Sequence, residues 1–195
     1  MNWVLVALES ELDRNYFFNN RPDTSWQIAY TGVGKVNAAI AACGLVKLPG
    51  TQQIINYGTA GIVSQKNLIG QLVQPDVIIQ RDMIAEPQAP RGTTPFEHDD
   101  TAGPILLNTN TNITLGTGDS FVMEHDPWFE YANVDLVDME GYAIAKAANV
   151  LKFKFSCYKY VSDFADENAM DNWQENVNKG AEAFMEVIND LSGNR

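Results

Sequence analysis

The chain alternates short apolar runs with longer segments of helical spacing. WVLVAL (3–8), QIAYTG (27–32), QIINYG (53–58), DVIIQ (76–80), NITLG (112–116), VDLVD (134–138) and SCYKYVSD (156–163) are rich in aliphatic, β-branched and aromatic residues. That pattern predicts strands. Between them, residues 36–48, Gly141–Val150 and 172–191 space their apolar side chains as helices do and carry many alanines. Alternating strands and helices make an α/β fold with a mostly parallel or mixed central sheet. A length of 195 residues suffices for one core and would be cramped as two. The whole chain, 1–195, is therefore expected to be a single domain.

One turn invites a nucleotide reading. YTGVGKVNAAIAA (30–42) joins a strand to a helix through glycines and a lysine. The phosphate-loop pattern needs a glycine five residues before the Gly-Lys pair and a Ser or Thr after it. Ala29 and Val36 stand there instead. The dinucleotide pattern fails as well, because Asn37 takes the place of its third glycine. What remains is a turn leading into a helix of small residues, Ala38, Ala39, Ala41 and Ala42, that can sit close to a sheet.

Composition narrows the partners. Thirteen Lys and Arg against twenty-five Asp and Glu give a net charge of -12, which disfavours nucleic acid and anionic membranes. No apolar run approaches membrane-spanning length, and the N-terminus meets Glu9 too early for a secretory signal. Cys43 and Cys157 lie in apolar surroundings and are expected to be buried free thiols of a reducing compartment, hence cytoplasmic. His98 and His125 have no ligand-like spacing, so no metal is expected.

In open α/β sheets ligands bind beyond the strand ends. Glu9 and Glu11 follow the first predicted strand, Thr59 follows QIINYG, Glu140 follows VDLVDM, and Asp163 closes SCYKYVSD. These acids and one hydroxyl could converge on one rim. The proline-rich stretch 85–104 reads as a long surface loop.

Taken together, TGVGKVNAA, INYGTAG, TGDSF, VDMEGYAIA and VSDFAD follow the order and approximate spacing of the nucleoside phosphorylase/nucleosidase superfamily. From Leu5 to about Leu191 the chain most closely resembles the methylthioadenosine/S-adenosylhomocysteine nucleosidases. The resemblance implies a three-layer fold, a mixed central β-sheet flanked by helices, and a homodimer. It implies hydrolysis of a 5′-modified adenosine to adenine and free sugar, with no organic cofactor. Asp163 would be the general acid at the purine, oriented by Ser162, with Asp166 as runner-up. Glu11, with Glu9 as second choice, would activate water. Glu140 would accept from the ribose hydroxyls, Met139 would lie along the sugar, and Asp138 would face away. Phe121 would stack on the base, the Val122 backbone would hold its edge, and Thr59 would position water or ribose.

The same superfamily contains phosphorylases, whose phosphate needs cationic donors. The matching positions hold Asn56 and the acidic ALESEL, which favours water, although Arg81 could approach from another strand. Other departures concern the tail of the substrate. Residues 12–27 leave little room for an early hairpin, Ile62 replaces a glycine, and the 85–104 loop matches poorly. Pro95 and Phe96 are candidates to line the 5′ pocket. A futalosine-type substrate, phosphorolysis and a non-catalytic nucleoside-binding protein are the alternatives.

Overall fold

The computed structural model describes residues 1–193, with the backbone alone at 99 and 100. Its elements are β1 (Asn2–Val6), α1 (Arg14–Asn20), β2 (Trp26–Tyr30), α2 (Lys35–Val46), β3 (Gln53–Ile62), β4 (Leu72–Val73), β5 (Val77–Gln80), α3 (Asp99–Ala102), β6 (Ile105–Leu106), β7 (Thr114–Thr117), α4 (Trp128–Tyr131), β8 (Leu136–Asp138), α5 (Gly141–Val150), β9 (Lys154–Phe164), α6 (Ala169–Asn176) and α7 (Ala181–Gly193). The nine strands join one mixed sheet, ordered β2-β1-β3-β8-β7-β5-β6, with β9 pairing β3 and β4.

Alternation along the strands sorts the core into two faces. Val4 and Val6 of β1 and Ile55 and Tyr57 of β3 pack with Phe17 of α1 and with Phe184, Met185 and Ile188 of α7. Leu5 and Ile54, one position out of phase, meet Ala38 and Ala42 of α2 and Ile144 of α5. Helices therefore cover both sides of the sheet, as expected. The same helix geometry corrects the reading of Cys43. Ala38 and Ala42 take the inward stripe, and Cys43, one residue on, is only half-buried; Cys157 is fully buried.

The long strand β3 organises the site. On one edge β9 runs parallel to it from Gln53 to Ile62. On the other edge β1 takes residues 53–56, and β8 takes only Gly61 and Ile62, antiparallel. Between those partners the edge of β3 opens. There the Thr59 N–H, free of a strand partner, donates to Glu11. Ile62 is the last residue of the strand and still pairs with Leu136 of β8 and Phe164 of β9. Thr59 and Asp163 thus lie inside strands longer than the apolar runs implied.

A register shift between β3 and β9 matters more. Ala60 pairs with Val161, but Gly61 pairs with Asp163. Ser162 is the extra residue of a β-bulge, a device that re-aims side chains. Gly61 accommodates the result. A Cβ there would stand 2.8 Å from Asp163 Oδ1.

Two further expectations change. Residues 172–191 are not one helix. They split into α6 and α7 at Gly180, where a Cβ would come within 2.5 Å of the Tyr160 side chain. The close approach turns the chain. Residues 12–27 carry no hairpin; they hold α1, capped by Asp13 accepting from the Tyr16 N–H at 2.7 Å.

Candidate functional site

A cavity of about 200 Å³ opens where β3 parts from its neighbours. Glu11, Thr59, Glu140 and Asp163 line it, as do Phe121, Val122 and Met139. Residues far apart in sequence are brought together because β1, β3, β8 and β9 end on the same side of the sheet or pass through it there.

Glu11 follows β1 and is buried. Its Oε1 accepts from the Thr59 N–H at 2.8 Å and the Thr59 hydroxyl at 2.9 Å, and its Oε2 accepts from the Leu8 N–H at 3.1 Å. Glu9 points elsewhere. It is exposed, 3.9 Å from Arg14, and does not line the cavity.

Glu140 directly precedes α5 and is also buried. The Gly34 N–H donates to its Oε1 at 2.8 Å. The glycine turn that failed the phosphate tests therefore does bind an anion, but one supplied by the protein. Burial pushes the Glu140 carboxyl up to about 7, and the Asp138 charge adds to this, while Lys159 and the Gly34 N–H oppose it. Asp138 does not simply face away. It borders the cavity, yet its carboxylate is held inside by the Thr117 hydroxyl, the Gly141 N–H at 2.7 Å and Lys159 Nζ at 2.8 Å.

Asp163 is 5% exposed. Its Oδ2 accepts from the Ser162 hydroxyl at 2.6 Å. Burial raises its pKa, the Ser162 bond opposes this, and the Asp166 charge supports it. Ser162 itself is buried and does not line the cavity, because the bulge turns it toward Asp163. Its contact is with the acid and not with the cavity. Asp166 is exposed and accepts from the Asn168 N–H at 2.8 Å, the local role of a turn residue. Phe96 is 94% exposed, and neither it nor Pro95 lines the cavity. Loop 85–104 carries them onto the surface instead.

Four groups in or beside the cavity escaped the sequence reading. Lys159 is buried on β9, and the absent side chain of Gly58 leaves it close to Glu11: a Cβ there would meet Glu11 Oε1 at 3.1 Å and Lys159 Nζ at 3.4 Å. Burial would lower its pKa, but the charge and hydrogen bond of Asp138 and the charge of Glu140 raise it instead. Lys159 thus stays a cation among carboxylates. A lone lysine in an apolar strand was the available signal. Met170 and Trp173 of α6 close another wall, and nothing in the pattern marks them. Lys35 ties the glycine turn to the loop bearing Phe121. Its Nζ meets Asp82 at 2.6 Å, its N–H donates to Asp119 at 2.7 Å, and the Asp119 N–H donates to Asp82 at 2.8 Å.

Arg81 does reach the cavity wall. Its terminal nitrogens, however, bind the Gly118 carbonyl and both the carbonyl and hydroxyl of Ser120. It braces the Phe121 loop. Among the described residues no group of three or more His, Cys, Asp or Glu could hold a metal ion, and no helix is long and apolar enough to cross a membrane.

Chemically, the cavity offers a buried acid disposed to hold a proton, a carboxylate held by three donors, a second carboxylate beside a cation, and an aromatic wall. Comparison with known proteins gives this arrangement a context. The family described as the phosphorylase superfamily matches residues 16–192. A 5′-methylthioadenosine/S-adenosylhomocysteine nucleosidase of Staphylococcus haemolyticus is 24% identical over 181 residues, covering 84% of this chain and 79% of that protein. An aminodeoxyfutalosine nucleosidase of Campylobacter jejuni is 26% identical over 181 residues, covering 85% and 79%. Among solved structures, S-adenosylhomocysteine nucleosidase from Streptococcus pyogenes in complex with 5-methylthiotubericidin superposes with a TM-score of 0.80 at 25% identity, covering 97% of this chain and 96% of that one.

Proposed function

The chain belongs to the phosphorylase superfamily, and on that premise we propose that it is an N-glycosyl hydrolase that cleaves a 5′-modified adenosine to adenine and free sugar. One observation carries the proposal: the buried carboxyl groups of Glu11, Glu140 and Asp163 line, with Asp138, a single cavity that also holds Phe121. In this reading Phe121 stacks on the purine and the Val122 backbone holds its edge. Asp163, whose burial favours its protonated form, gives its proton to N7 as the bond from C1′ to the base breaks. Adenine departs neutral. Glu140 accepts from the ribose hydroxyls while positive charge grows on the sugar, and Met139 lies along the sugar. Glu11 takes a proton from the water that adds to C1′. The layout is analogous to the two-carboxylate arrangement of inverting glycosidases.

Water is favoured over phosphate because, among the described residues, each cation in or beside the wall is bound to another group of the protein. Arg81 is bound to the Phe121 loop, and Lys159 is bound to Asp138. A purely binding protein would need no carboxylate positioned by three donors on the water side. The Campylobacter relative supports a second reading of the tail, a futalosine-type 5′ substituent, on the same chemistry. The homodimer implied by resemblance has a face available, since Val36 and Ile40, one turn apart on α2, are each 69% exposed. The deciding experiment is product analysis in phosphate-free buffer. Adenine and a reducing sugar are expected; a strict phosphate requirement with sugar 1-phosphate would overturn hydrolysis.

Two predictions arise here. Ionised Glu140 accepts from both ribose hydroxyls, whereas its protonated form accepts less well and carries a donor of its own. Because its pKa is raised to about 7, 1/KM is expected to climb as pH rises through about 7 and then level. Glu140→Gln should weaken binding and abolish that limb; an unchanged KM profile in the variant would remove Glu140 from the ribose. Lys35→Met breaks the tie between the glycine turn and the Phe121 loop. KM is expected to rise by roughly tenfold, about the loss of one charge-assisted hydrogen bond, with kcat changed less. Steady-state kinetics with adenosine analogues check it.

A further inference from the structure

We propose that Trp173 is a positioning residue for the water-activating carboxylate and acts through Thr59. The inference rests on the reading of Glu11 given above. The indole Nε1–H of Trp173 donates to the Thr59 hydroxyl at 2.9 Å, and that hydroxyl donates to Glu11 Oε1 at 2.9 Å.

The direction of this relay follows from chemistry. An indole N–H only donates, and a hydroxyl has one proton and two lone pairs. Accepting from Trp173 orients the Thr59 hydroxyl, and its single proton goes to Glu11. The Thr59 N–H donates to the same oxygen at 2.8 Å. Oε1 is thereby held twice, while among the described residues Oε2 accepts only from the Leu8 N–H, at 3.1 Å. Oε2 is the oxygen left to receive a proton from water. Without the indole N–H the hydroxyl can rotate, and the carboxylate loses one of its two fixed donors on that side.

The helix that carries Trp173 is anchored at the other end of the site as well. Asn176, three residues on and so on the same face, donates to the Ser162 carbonyl at 2.7 Å, next to Asp163. One face of α6 therefore touches the supports of both reacting carboxyl groups. Trp173 also forms part of the cavity wall, so its two contributions must be separated: the ring as wall and the N–H as donor.

Trp173→Phe separates them, since it keeps an aromatic ring and removes the donor. Adenine release is measured for the wild type, Trp173→Phe, Thr59→Val and the double variant, with thermal midpoints alongside. The expected result is a kcat lower by about 3- to 10-fold in Trp173→Phe, the size of one hydrogen bond, with KM near wild type. Thr59→Val should lower kcat by itself, and adding Trp173→Phe should lower it no further. Thr59→Ser, which keeps the hydroxyl, should remain sensitive to Trp173→Phe. If Trp173→Phe folds poorly, benzothienylalanine at position 173 replaces the N–H by sulfur in the same shape, and the same kcat loss is expected. An unchanged kcat, a rise in KM alone, or equal losses with and without the Thr59 hydroxyl would overturn the relay while leaving the hydrolase reading intact. A wild-type chain that releases no adenine would overturn both.

Discussion

Asp163→Asn is expected to lower turnover of a 5′-modified adenosine by about 10²- to 10⁴-fold, the range of a lost general acid. The amide has the shape of the acid but no proton to give to N7. The structure gives reasons to expect a folded variant. The Ser162 hydroxyl, 2.6 Å from Oδ2, can still donate to an amide oxygen, and Gly61 still leaves space beside the side chain. Substrate binding should therefore survive better than kcat. Chromatographic detection of adenine, with circular dichroism to confirm the fold, makes the comparison. Turnover near the wild-type rate would exclude Asp163 as the acid.

Glu11→Gln is expected to fall in the same range, about 10²- to 10⁴-fold in kcat, for a different reason. Protonation of the base remains possible, but the attacking water has no base. The amide oxygen can keep both Thr59 donors, at 2.8 and 2.9 Å, while the amide nitrogen would face the Leu8 N–H, donor against donor. A modest loss of stability should accompany the loss of rate. The two variants separate by pH. The rate supported by Asp163 declines as pH rises through its raised pKa, because the acid must be protonated. That decline should persist in Glu11→Gln and vanish in Asp163→Asn. Identical pH profiles in the two variants would contradict the division of labour.

What the sequence reveals and what it hides follow from the range of the interactions. Alternation along a strand is local, and it marks β1, β3, β8 and β9 and the carboxyl groups that follow or close them. Glu11, Glu140 and Asp163 were legible because each stands near the end of an apolar run within a recognisable motif. The bulge at Ser162 was not legible, because a register shift belongs to a pair of strands and not to either one. The break at Gly180 depends on Tyr160, twenty residues away and on another element. Lys159 stands alone as a charge in an apolar strand, but its pairing with Asp138, on another strand, is what makes it a buried cation. The spacing of the glycine turn fails the phosphate-cradle pattern, and its bonds go to Glu140 and Asp119, more than eighty residues on. Trp173 carries no local signal at all, since its partner Thr59 lies on β3, 114 residues earlier in the chain.

The central claim is that one nucleoside is held with its base against Asp163 and Phe121, its hydroxyls on Glu140 and its anomeric carbon toward Glu11. A crystal structure with a 5′-alkylthio adenosine analogue in which N7 is replaced by carbon tests this most directly, because such a base cannot accept the proton and is not released. The expected result places Asp163 beside position 7 of the base, Glu140 within hydrogen-bond distance of both ribose hydroxyls, and Glu11 facing C1′ from the side opposite the base. An analogue bound outside this cavity, or bound with its sugar against Asp163, would contradict the account.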